Sequence, residues 1–127
     1  MAYDPMRDDP AIPNSYWAAT APAEPETHSL DTDLDVDLAV IGGGFSGLST
    51  GLHAALAGQS VAVLEANRPG WGASGRNNGQ VVAALKHEPH QIRAAFGAER
   101  GDKLIEAIGK GPDLVFSLTD RYGIACN

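Results

Sequence analysis

The feature that most limits how this chain can fold is the run Gly42-Gly43-Gly44-Phe45-Ser46-Gly47, together with what stands on either side of it. Ahead of it, Val36-Asp37-Leu38-Ala39-Val40-Ile41 is short, rich in apolar and β-branched residues and ended by glycine, as a buried strand is. Behind it, Leu48, Leu52, Ala55 and Leu56 fall on one face of a helix, which Gly58 is placed to end. Ser60-Val61-Ala62-Val63-Leu64-Glu65 then reads as a second buried strand. Strand, helix and strand of these lengths form a βαβ unit, expected to have parallel strands and a right-handed crossover.

In that setting the G-x-G-x-x-G spacing has a physical meaning that it lacks alone. Gly42 permits a tight turn out of the strand. Gly44 leaves the backbone bare, so that a pyrophosphate can approach, and Gly47 lets the helix lie close to the sheet, with Gly51 one turn later extending that contact. The amides of Gly43, Phe45 and Ser46 belong to the same loop and helix start, where unpaired N–H groups and the helix dipole attract an anion. Glu65 follows Gly42 by 23 residues and tips the second strand, where a carboxylate accepts hydrogen bonds from ribose hydroxyls and repels a 2′-phosphate. A triphosphate-binding loop is a poorer reading, because Gly109-Lys110-Gly111 lacks both the hydroxyl residue after lysine and the earlier glycine. The fingerprint by itself leaves FAD and NAD both open.

Charge narrows the partners. The chain has 127 residues and a formal net charge of −7, and nine of its acids lie in residues 1–37 beside the single base Arg7. No stretch offers the basic stripe that phosphate neutralisation along a nucleic acid requires, so none is expected as a partner. No apolar run is long enough for a membrane helix, and the amino terminus lacks the apolar core of a secretory signal. A lone Cys126 excludes an internal disulfide and fits a reducing, cytoplasmic setting. No residue pattern reports an oligomeric state.

Residues 1–35 hold five of the eight prolines and read as an extended amino-terminal arm. Ser15-Tyr16-Trp17 is read as an aromatic anchor pinning that arm to the domain surface, and Glu24 to Asp37 as a solvated lead-in. Residues 36–127 form the domain itself. After Glu65 the chain is glycine-rich as far as Gly79, a loop long enough to suggest function. Val81 to Leu85 reads as a short extended piece. Helical patterns follow around Ile92, around Leu104, Ile105 and Ile108, and from Pro112 to Tyr122, with Gly123 closing the last. Ile124-Ala125-Cys126 resembles the start of another strand. His87 and His90 are spaced for a metal only if one helix carries both, and Pro89 between them breaks it, leaving no third ligand evident. His53 reads as packing or solvent-facing, and Cys126 has no local group to activate its thiol.

The run Gly70-Trp71-Gly72-Ala73-Ser74-Gly75-Arg76-Asn77-Asn78-Gly79-Gln80, following the fingerprint, resembles the amino-terminal part of FAD-dependent amine oxidoreductases. That family includes D-amino-acid dehydrogenases, glycine and sarcosine oxidases and, most similar in this run, gamma-glutamylputrescine oxidases. Members similar to this chain usually carry glycine where Asn78 stands. The resemblance implies an α/β fold: a Rossmann-like FAD/NAD(P)-binding βαβ unit followed by helices, with an incomplete parallel sheet. It implies FAD as cofactor, with Gly42, Gly44 and Gly47 at the pyrophosphate, Glu65 at the adenosine ribose and Arg68 flanking the adenosine. The loop carrying Gly72, Ala73, Ser74, Gly75, Arg76, Asn77 and Gln80 would pass the ribityl chain towards the isoalloxazine ring. Arg76 has two readings, a surface-loop arginine or a group that stabilises negative charge on reduced flavin.

The implied chemistry is hydride removal from the carbon bearing the nitrogen of a small-molecule amine or amino acid, leaving an imine for water to hydrolyse. Family members run to several times this length, so the expectation is an amino-terminal portion without the substrate domain or the carboxy-terminal segment that completes the FAD sheet. The competing expectation is a stand-alone dinucleotide-binding or non-catalytic module.

Overall fold

A computed structural model describes residues 15–126. The opening part of the arm, residues 1–14, lies outside the described residues, as does Asn127. The chain divides between Asn78 and Gly79 into two compact units.

In the first unit, strand β1 (Leu38–Ile41), helix α2 (Phe45–Leu56) and strand β2 (Val61–Leu64) follow a short helix α1 (Tyr16–Thr20). The two strands pair in parallel, with Leu38 against Val61 and Ile41 against Leu64. This is the expected βαβ unit. Helix α2 lies on one face of the sheet, and glycine decides how near it comes. A Cβ built on Gly47 would stand 1.9 Å from the Gly42 carbonyl oxygen and 3.3 Å from Val40, and one on Gly51 would meet Val63 at 2.8 Å. Side chains alternate across a strand, so Val40, Val61 and Val63 face the helix while Ala39, Ile41, Ala62 and Leu64 share the other face. On that second face Ile41 is 80% exposed among the described residues.

At the opposite end of the strands from the glycine loop, Asp37 and Ser60 form a reciprocal clasp. The Asp37 carboxylate accepts from the Ser60 amide at 2.9 Å and hydroxyl at 2.8 Å, and the Asp37 amide donates to the Ser60 hydroxyl oxygen at 2.9 Å. The amide bond first, and the hydroxyl bond second, hold the Asp37 carboxyl below its ordinary range. The clasp fixes the strand register where β1 begins.

The arm differs from the expected extended coil at one place. Ser15 caps α1, its hydroxyl oxygen accepting from the Ala18 amide at 3.2 Å, and that cap supports a single helical turn in otherwise irregular chain. The aromatic anchor is also corrected. Tyr16 and Trp17 pack edge-to-face on each other, with centroids 5.2 Å apart, and stay 61% and 45% exposed. The arm is held instead by polar contacts: Glu24 pairs with Arg68 at 3.0 Å, and the Asp37 clasp secures its end.

The second unit is three helices, α3 (Pro89–Phe96), α4 (Ala98–Gly109) and α5 (Gly111–Tyr122). Glu88 and Gln91 form a capping box ahead of α3, with Pro89 in its first turn. Glu88 is therefore a helix cap, with His87 outside the helix and His90 inside it. Gly101 of α4 is buried against Arg93 of α3, where a Cβ would lie 2.9 Å from the Arg93 backbone. Ile92 is the one buried hydrophobic side chain among the described residues.

Two expectations fail in this unit. Val81 to Leu85 is irregular, and Ala83, Ala84 and Leu85 line a shallow cavity of about 210 Å³ with Ile92, Ile105 and Ile108. Ile124 to Cys126 is not a strand either. Gly123 adopts a left-handed conformation (φ 60°), and the Ile124 amide donates to the Thr119 carbonyl at 2.9 Å. Ile124 thus completes a Schellman ending of α5 rather than opening an extended segment.

Candidate functional site

The site is built where β1 delivers its backbone to α2. Gly42 has φ 102°, a left-handed turn that residues with a side chain rarely adopt. Its amide donates to the Leu64 carbonyl at 2.7 Å, so the turn starts on the last rung of the sheet. Gly43 is buried behind it, and its amide donates to Glu65 Oε2 at 2.6 Å. Glu65 Oε1 accepts from the Asn67 amide at 3.1 Å. The half-buried acid at the tip of β2 therefore fastens the glycine turn to the strand that follows it, a role beyond the ribose contact expected from spacing. Each carboxylate oxygen retains lone-pair capacity after one bond.

Gly44 is the N-cap of α2 and offers no side-chain cap. That cap is supplied from 29 residues downstream: Ser74 Oγ accepts from the Phe45 amide at 2.9 Å. A Cβ on Gly44 would sit 3.0 Å from the same oxygen. The amides of Ser46 and Gly47 follow in the first turn, where a helix has no carbonyl of its own to satisfy them. Phe45 is 67% exposed beside them. Bare backbone, first-turn amides and the positive end of the helix dipole together form an anion seat, lined by one hydroxyl.

The glycine-rich run after β2 lies against this turn. The Gly70 amide donates to the Gly43 carbonyl at 2.8 Å. Gly72 leads into a 3₁₀ turn at Ala73–Gly75, closed by the Gly75 amide on the Gly72 carbonyl at 3.2 Å. Asn77 donates to the Ser74 carbonyl at 2.7 Å. Arg76 folds back over the loop: its Nε donates to the Trp71 carbonyl at 2.7 Å, and its guanidinium stacks 4.4 Å from the Trp71 ring centroid. Its charge is thereby held on this turn.

The structure thus brings together Gly42 to Gly47, Glu65, Gly72, Ala73, Ser74, Gly75, Arg76 and Asn77. Arg68 stands on the turn just after Glu65, with its Nη1 on Glu24 Oε1 at 3.0 Å. Gln80 belongs to the second unit. The sequence reading did not single out Glu24, Gly70 or Trp71. Nothing local to Glu24 signals a partner 44 residues away, whereas Gly70 and Trp71 stood inside a run already marked as functional.

Comparison with known proteins decides the family. The model for FAD dependent oxidoreductases matches residues 37–126, spanning the fingerprint and the glycine-rich turn. The chain belongs to this family. Its cofactor is FAD. The chain is 38% identical over 114 residues to gamma-glutamylputrescine oxidoreductase of Escherichia coli, covering 90% of this chain and 27% of that protein. It is 35% identical over 91 residues to a probable oxidoreductase, OrdL, of Haemophilus influenzae, covering 72% and 21% of the two chains. An OrdL of Rhizobium meliloti is 29% identical over 110 residues, covering 87% and 26%. The chain spans about a quarter of the length of these curated relatives. No solved structure matches it significantly. Among the described residues no helix is long and apolar enough to cross a membrane.

Proposed function

We propose that residues 36–127 are the amino-terminal part of an FAD-binding domain with a Rossmann-like fold. The enzyme it serves oxidises an amine or amino-acid C–N bond, in the manner of gamma-glutamylputrescine oxidoreductase. FAD, when bound, supplies the acceptor for the hydride leaving the carbon next to nitrogen.

This chain's own residues hold and orient that cofactor. The amides of Gly44, Ser46 and Gly47 receive the pyrophosphate, as backbone N–H groups at a helix start receive anions generally. Glu65, already aimed by its two backbone bonds, accepts from the ribose hydroxyls. Ser74 accepts from Phe45 and keeps its own proton to donate to a phosphate oxygen. Gly72, Ala73, Gly75 and Asn77 carry the backbone along the ribityl chain, and Arg76 supplies positive charge on that run. The same reading includes a cytoplasmic location, supported by the single cysteine. It also has the 127-residue chain inactive alone, with at most weak affinity for FAD.

The observation that carries the reading is the seat itself. A bare glycine turn runs into the unsatisfied first turn of a helix, and an acid at the tip of the next strand is tied to that turn. Gly44→Val, placed at the matching position of a full-length relative, tests it. The expected outcome is apoprotein lacking the yellow flavin spectrum; unchanged flavin content would remove the pyrophosphate role.

A further inference from the structure

The arm poses a question that the cofactor reading leaves unanswered: what a strongly acidic segment gains by being tied to the turn that follows β2. Among residues 15–37 there are six acids and no lysine or arginine. Most of these acids stand exposed, but Glu24 does not stand alone. Its carboxylate meets Arg68 at 3.0 Å, with both side chains about half exposed. Arg68 in turn is fixed close to Glu65. The Asn67 amide, one residue before it, donates to Glu65 Oε1, and the Arg68 carbonyl accepts from the Trp71 amide at 2.9 Å.

An arginine close to the acid at the tip of the second strand is the means by which dinucleotide-binding folds accommodate a ribose 2′-phosphate. Arg68 stands on the same turn, three residues after Glu65. We infer that Glu24 is a specificity-determining residue of the nucleotide site: by occupying the Arg68 guanidinium it prevents that group from attracting a 2′-phosphorylated dinucleotide. Glu65 repels a 2′-phosphate directly, and Glu24 withholds a cation of the same turn that could offset this repulsion. Glu24 is therefore a charge tie from the arm to the turn that follows β2. This inference rests on the cofactor reading above, in which Glu65 faces the adenosine ribose.

Adenosine 5′-monophosphate and adenosine 2′,5′-bisphosphate differ only by the 2′-phosphate and are the probes. Binding of each to the 127-residue chain at low salt is measured for the native sequence, for Glu24→Gln and for the double variant Glu24→Gln with Arg68→Met. Glu24→Gln is expected to tighten the bisphosphate about fivefold, the ceiling for an exposed charge contact, while leaving the monophosphate unchanged. The double variant is expected to lose that gain, as is Glu24→Gln at high salt. Circular dichroism confirms that each variant keeps the native fold. Should Glu24→Gln leave both nucleotides unchanged, or tighten both equally, the specificity role falls while the cofactor reading stands. Should Glu65→Gln leave binding of both probes unchanged, the adenosine site itself falls and takes the inference with it.

Discussion

The two units of this chain are held together by different means. In the βαβ unit the decisive contacts are close backbone approaches and polar ties. Gly47 and Gly51 bring α2 onto the sheet, the Asp37–Ser60 clasp sets the register, and Glu65 and Ser74 fasten the loop. In the helical unit the stabilising pattern is amphipathic periodicity, with one buried side chain, Ile92, and a backbone crossing at Gly101. Precision therefore sits at the proposed cofactor seat. A phosphate site needs backbone amides held in place, and hydrogen bonds to fixed groups achieve that in a unit too small to bury much apolar area.

The sharpest way to break this contrast is to add one methyl group to each unit. Gly47→Ala drives a Cβ into the Gly42 carbonyl oxygen, so thermal denaturation should show the first unit losing about 3 kcal/mol or more. Gly109→Ala in α4 has open space around the new atom, and should leave stability unchanged or raise it by about 0.5 kcal/mol. Equal effects would erase the distinction. Gly51→Ala presses on a single methyl of Val63 and should cost about 1–3 kcal/mol. Val63→Ala in the same chain should restore part of it, by a double-mutant cycle.

Ser74→Ala removes the cap of α2 and should cost about 1 kcal/mol, read by denaturant titration. It should also speed amide exchange at Phe45, which distinguishes loss of the cap from general loosening.

The smallest effect expected is on the pH dependence. Hydrogen bonds from Ser60 lower the Asp37 pKa in the folded chain, so the clasp contributes fully above the ordinary aspartate value of 3.8. That contribution is lost as pH falls through the lower folded value. Asp37→Asn should lower stability most in the neutral region, where the clasp contributes fully, and should flatten the acid limb as pH falls from the ordinary value through the lower folded one. An unchanged acid limb would show that the clasp does not couple to folding.

How much of this was legible in the sequence follows from the same contrast. The strands, α2 and the three later helices were readable because their apolar residues repeat at the period of the element that they form. The fingerprint was readable because Gly42, Gly44 and Gly47 each answer a local demand of the turn. What escaped was non-local. Glu24 and Arg68 are separated by 44 residues, and Ser74 caps a helix that begins 29 residues earlier, with no periodicity to announce either contact. Ile124-Ala125-Cys126 misled for the opposite reason: three apolar residues suggested a strand, but the hydrogen bond of Ile124 to Thr119 uses it to finish a helix.

The most direct test follows the backbone amide resonances of the 127-residue chain during titration with ADP, which carries the adenosine and pyrophosphate of FAD without the flavin. The account predicts progressive, saturable shifts at Gly43, Gly44, Phe45, Ser46 and Gly47, with the α3–α5 amides unmoved. Saturable shifts confined to residues outside this turn would contradict it.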